Sequence, residues 1–185
     1  MEAMSSPQPD RTGGIRPFAI GTIVLAVIVL ALTGLTRACS VSAPGTVDRG
    51  SVQRIDVAGV TASAAGSVPF RVRGPQLPAD WIPQSSDLRD VPGGRAFRLG
   101  WLTPDNTFVR LVQSDGTAEG LVASEQGAPQ AGAPVSADGL TWATYRGLRN
   151  EPIWVTDVGG VRWLVTGDAT PARFVQLITA ARQSP

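Results

Sequence analysis

The chain has 185 residues, with sixteen arginines against fifteen acidic residues, one cysteine, and neither lysine nor histidine. The missing histidine removes the usual general base, triad partner and metal ligand, and a single cysteine excludes an internal disulfide framework or a cysteine-rich zinc site. Beyond residue 40 thirteen arginines meet thirteen acidic residues, so the net basic face that nucleic acid requires is not expected.

Residues 1–16, with Pro7, Pro9 and the Gly13-Gly14 pair, hold too little apolar content to fold and read as a disordered cytoplasmic tail. From Pro17 to Leu35 the chain runs nineteen residues without a charge. As a helix this stretch reaches about 28 Å, one hydrocarbon core, and residues 17–37 are predicted to form a transmembrane helix. The run exceeds the length of a cleaved signal's apolar region. Cys39 stands where a lipoprotein would be acylated, but Thr36 and Arg37 do not fit that signal. The reading is an uncleaved signal anchor whose partner is the lipid bilayer. Arginines lie on both sides of the span (Arg11, Arg16; Arg37, Arg49, Arg54). The short tail and the large following domain, rather than the charge count, point to a cytoplasmic N-terminus.

Residues 38–50 read as a linker, and residues 51–185 as one extracytoplasmic α+β domain. Ser51 to Ala65 suits a short helix capped by Ser51, or a strand around Ile55, Val57 and Val60. Phe70 and Val72 alternate with Arg71 and Arg73 as a half-buried strand, and Leu77 and Trp81 are expected to cap one end of the core.

The spacing Phe70-x-Val72-x-x-Pro75-x-Leu77-Pro78-x-x-Trp81, with the Gly-Asp-x-Thr helix start at Gly167 to Thr170, resembles a family of actinobacterial single-pass membrane proteins. Their extracytoplasmic domain is one of unknown function. The resemblance implies a membrane-anchored envelope domain and supplies no catalytic residue to transfer. The order of elements is more distantly similar to PsbP- or Mog1-like domains, an analogy of fold that carries no function.

Arg95–Thr103 and Thr107–Ser114 are predicted to form a hairpin across the Pro104-Asp105-Asn106 turn. Asp115-Gly116 turns the chain into a short helix over 117–126, and 127–137 reads as a Gly/Pro/Ala loop. Strands follow over 140–146, 152–158 and 161–166, the last two joined by Gly159-Gly160. Thr170 and Pro171 start a final helix with Phe174, Val175, Leu177, Ile178 and Ala181 on its apolar face. The fold class is therefore α+β, an antiparallel sheet of about five to seven strands with flanking helices, preceded by the transmembrane helix.

No catalytic, cofactor-binding or metal-binding residue is assigned. Glycine pairs sit in turns rather than phosphate loops, and Asp105, Asn106 and Asp115 lack calcium-site spacing and suit turns instead. Trp101, Trp142, Trp154 and Trp163 fall on adjacent strands and are read as sheet-face packing, or as a face for a ligand or partner. Arg98 and Arg110 on the same strands are read as solvent-side alternation, or as an anion-binding addition to that face. The functional expectation is a non-catalytic binding or scaffolding domain meeting envelope proteins. The alternative is a carrier or sensor of a lipid-like ligand in a sheet–helix pocket.

Overall fold

The computed structural model describes residues 48–126, 129–147 and 150–185. The expected tail, the 17–37 span and most of the linker lie outside the described residues, as does Cys39. Among the described residues no helix is long and apolar enough to cross a membrane. Asp48–Pro185 forms one compact unit.

The element order is α1 (Val57–Ala65), β1 (Ile82–Val91), β2 (Gly94–Leu102), β3 (Phe108–Ser114), α2 (Ala118–Gln126), β4 (Gln130–Ala137), β5 (Leu140–Arg146), β6 (Pro152–Val158), β7 (Val161–Gly167) and α3 (Pro171–Gln183). The seven strands form one antiparallel sheet in the order β1-β2-β3-β7-β6-β5-β4. Two meanders, β1–β3 and β4–β7, thus meet at the β3–β7 pair, and α2 carries the chain from one to the other. The fold is α+β with three helices, as the sequence predicts for the domain.

Short turns set the registers. Gly159 and Gly160 have φ of 62° and 86°, both left-handed, as a two-residue hairpin with the right-handed strand twist requires. Asp138 and Gly139 do the same between β4 and β5, at 50° and 74°.

Alternation along the strands gives the sheet two unlike faces. One face packs Phe97, Leu99, Trp101, Val109, Leu111, Trp142, Trp154, Trp163 and Val165 against Ala64 of α1 and Phe174, Leu177, Ile178 and Ala181 of α3. The other packs Val112, Ile153, Val155 and Leu164 under Leu121 and Val122 of α2.

Two strands differ from expectation. The sequence pattern assigns no element to residues 82–91, which form β1, and puts β4 in the 127–137 loop. Both are edge strands, so neither needs a buried alternating face. β1 carries Asp87, Arg89 and Asp90, with a register shift beside Pro83. β4 is almost wholly exposed and shifts register around Pro134, between Gly132 and Val135. Proline, charge and irregular register are the features that keep an edge from pairing with a foreign strand. The first helix is shorter than the expected 51–65, and its cap is Asp56, whose carboxylate accepts from the Ala58 N–H, rather than Ser51. Residues 70–73 lie outside the sheet. Thr170 stands at the α3 N-cap without a side-chain capping bond, while Pro171 occupies the first turn.

Gly167 closes the β3–β7 seam at φ +140°, where a Cβ would collide with the Phe108 carbonyl. Gly160 also has positive φ, but open space around it. Gly167→Ala is therefore expected to cost the Asp48–Pro185 unit about 2–4 kcal/mol in urea unfolding, against about 1 kcal/mol for Gly160→Ala. Equal losses would contradict this reading of the seam.

Candidate functional site

The structure separates the six residues that the sequence groups as a ligand or partner face. Trp101, Trp142, Trp154 and Trp163 are all buried beneath α1 and α3. Trp142 and Trp154 stand 6.5 Å apart in a tilted pair. Trp154 meets Phe174 edge-on at 5.3 Å. The Trp142 indole N–H donates to the Ala137 carbonyl at 3.2 Å, so this ring also fastens the β4–β5 hairpin. These rings take the packing role, filling the space between sheet and helices.

Arg98 and Arg110 belong to the opposite face, and neither is a plain solvent-side residue. Arg98 on β2 is 5% exposed. Its Nε lies 2.8 Å from Glu125 on the last turn of α2 and 3.9 Å from Asp87 on β1, and an Nη donates to the Ser124 hydroxyl at 3.3 Å. Arg110 on β3 donates to the second Glu125 oxygen at 2.9 Å while its guanidinium rests 5.3 Å from the Phe108 ring centre. The Glu125 side chain is only 2% exposed. Two guanidiniums thus grip one buried carboxylate and tie the end of α2 to strands β2 and β3. With each charge answered by its neighbours, the cluster reads as a fastening rather than a ligand site.

Among the described residues a concavity lies on the tryptophan face, between the segment Pro69–Arg73 and the β6–β7 hairpin. It is an open-sided trough of about 510 Å³ with Phe70, Trp163 and Val158–Val161 among its lining. Its outer wall exists because of Gln113. That side chain is fully buried; its amide oxygen accepts from the Arg73 N–H and its amide nitrogen donates to the Arg73 carbonyl, both at 2.8 Å. The carboxamide thereby supplies the two bonds a neighbouring strand would make. Val72, the residue before Arg73, is buried in the same core as Trp163.

Arg71 is exposed on that wall and is the one arginine among the described residues with no hydrogen bond or ion pair. Arg73 donates to the Ser184 carbonyl and has no ion pair. Asp115 lines the trough, with one oxygen accepting from the Arg95 N–H at 2.7 Å. Two cations and one anion leave a net positive rim beside half-buried Phe70, Val158 and Val161. Such a lining suits an apolar group carrying negative charge. It offers no base beside a nucleophile, and among the described residues no group of acidic or cysteine side chains is placed to hold a metal.

Elsewhere, Arg173 of α3 forks onto Asp105 of the β2–β3 turn at 2.7 and 3.0 Å and lies 5.8 Å from the Trp81 ring centre. The hydrogen bond from Arg173 holds the Asp105 carboxyl below its ordinary range. A smaller cleft of about 250 Å³ runs between residues 54–58 and 75–81 beside this contact.

In the sequence the trough's wall is marked only as a strand, and neither Arg71 nor Arg73 stands out. The alternation of arginine with Phe70 and Val72 was the available signal. What it could not show is that the strand's partner is a side chain.

The chain matches the model of a family described as "Protein of unknown function (DUF4245)" over residues 13–181, and it belongs to that family. No curated protein and no solved structure matches it, so the analogy to PsbP- or Mog1-like domains rests on the order of elements alone.

The charge cluster makes a quantitative demand. Glu125→Gln leaves the buried Arg98 with only the more distant Asp87, at 3.9 Å, as a counter-ion and is expected to cost about 3 kcal/mol in urea unfolding. The double change Arg98→Met with Glu125→Leu should recover most of it. A double variant no more stable than the single one would contradict the fastening role.

Proposed function

We propose that this member of a family without an assigned activity is a single-pass actinobacterial membrane protein. Its folded unit is a non-catalytic binding or scaffolding domain of the cell envelope. Location rests on the sequence: the uncharged run from Pro17 to Leu35 is long enough to cross a bilayer and stands ahead of one compact unit. The N-terminus is placed in the cytoplasm and the domain outside.

The observation that carries the binding role is the trough. It is a preformed concavity within the size range of ligand sites, with an unpaired arginine at its rim. A chain without histidine has few ways to run acid–base chemistry there, and Asp115 is the only carboxylate in the lining. The lipid-carrier alternative needs a void between sheet and helices. Trp142, Trp154, Trp163 and Phe174 occupy that region, which disfavours it. Partners by strand addition are disfavoured too, since each sheet edge is interrupted beside a proline.

The test uses the full chain in cells. It is expected to resist alkaline extraction from membranes, and a phosphatase fused after Pro185 should be active outside the cytoplasm. A photoreactive residue at Pro69, on the trough wall, should trap an envelope protein that the same residue at Glu119 on α2 does not. Release by alkali or a cytosol-facing reporter would overturn the location. Identical adducts at both positions, or none at Pro69, would overturn the trough as the binding site.

A further inference from the structure

We infer that the trough selects a partner polypeptide by an acidic side chain set beside an aromatic or aliphatic one, with Arg71 reading the charge. The inference rests on the binding role proposed above and adds the chemistry of the occupant.

Charge comes first. The other described arginines are each engaged by a carboxylate, a carbonyl or a side-chain amide of the protein itself, and Arg71 is left over beside an aromatic lining. A guanidinium's planar fork matches a carboxylate in two parallel bonds, which a neutral amide cannot reproduce. The Arg73 guanidinium nearby has only a carbonyl to bond, so the local field favours an anion over a cation.

Apolar character comes second. Half-buried Phe70, Val158 and Val161 line the same trough with the almost wholly buried Trp163 behind them, so Phe70 and the two valines are the apolar surface that an inserted side chain would meet.

Shape decides the source. A carrier encloses most of its ligand, whereas this trough is partly open to solvent and has the exposed Gly159-Gly160 turn in its lining. A polypeptide can lay side chains into it while its backbone passes on across the surface. An acyl chain would not be enclosed. Because the edges of the sheet resist pairing, recognition is led by side chains rather than by an added strand.

The wall's rigidity makes the selection possible. Gln113 fixes the backbone at Arg73, two residues from Arg71, so the guanidinium's base is positioned before the partner arrives.

The experiment uses the full chain in phosphatidylcholine nanodiscs and two fluorescent peptides, dye-labelled Leu-Asp-Phe-Leu-amide and the same peptide with asparagine for aspartate. Binding is followed by anisotropy. The acidic peptide is expected to bind about fivefold more tightly than the amide one, a preference that fades as salt is raised. Arg71→Gln should abolish the preference, and Arg54→Gln should preserve it. Equal affinity for the two peptides, no binding of either, or a preference that survives Arg71→Gln would overturn the inference. So would dodecanoate displacing the acidic peptide at lower concentration than the peptide's own unlabelled form. Each of these leaves the Pro69 crosslink in cells untouched, so loss of selectivity is distinguishable from loss of the binding role.

Discussion

A buried primary amide standing in for a strand is the contact on which one face of this domain depends. Gln113 sits in the centre of the sheet, on β3, at a position where its neighbours Val109 and Leu111 on the same face are apolar. A carboxamide there is costly unless its oxygen and nitrogen are both used, since an unsatisfied buried polar group costs about 1–3 kcal/mol. The Arg73 backbone meets both needs, and in return the 69–73 segment is held flat against the core. Burial of Val72 and the partial cover given by Phe70 follow from this, as does the outer wall of the trough.

The two sheet faces solve different problems with the same alternating strands. Beneath α1 and α3 the interior is large and is filled by big rings, with Trp142, Trp154 and Phe174 in contact. Beneath α2 the helix is only nine residues long, and Leu121 and Val122 are its buried apolar anchors. Its far end is secured by Glu125 between Arg98 and Arg110. A buried ion pair contributes little net stability compared with apolar packing, but removing one partner is severe. The pair therefore fixes where the helix ends more than how stable the domain is.

What the sequence revealed follows from which signals are local. The hairpins at Pro104–Asn106 and Gly159–Gly160, the strands with regular alternation and the apolar stripe of α3 depend on neighbours within a few residues, and they stand where the pattern puts them. β1 and β4 were illegible because an edge strand needs only one partner and gains from polar or small residues. The capping of α1 moved from Ser51 to Asp56 because the mixed pattern of residues 51–56 did not mark a helix start. At the site, aromatic composition alone could not distinguish Trp142 at the centre of the core from a ring on the surface. Alternation does put Trp101 and Arg98, three residues apart, on opposite faces, but it could not show that α2 covers the face of Arg98. Arg71 was hidden for a further reason: its importance lies in lacking a partner, which only the placement of the other arginines reveals.

The central physical claim is that one side chain holds the trough's wall in place. Amide hydrogen exchange at Arg73, compared between the native chain and Gln113→Leu, tests it most directly. The expected result is strong protection of the Arg73 N–H in the native protein, and its selective loss in the variant while amides in the central strands β3 and β7 stay protected. An Arg73 amide that exchanges equally slowly in both proteins would contradict it.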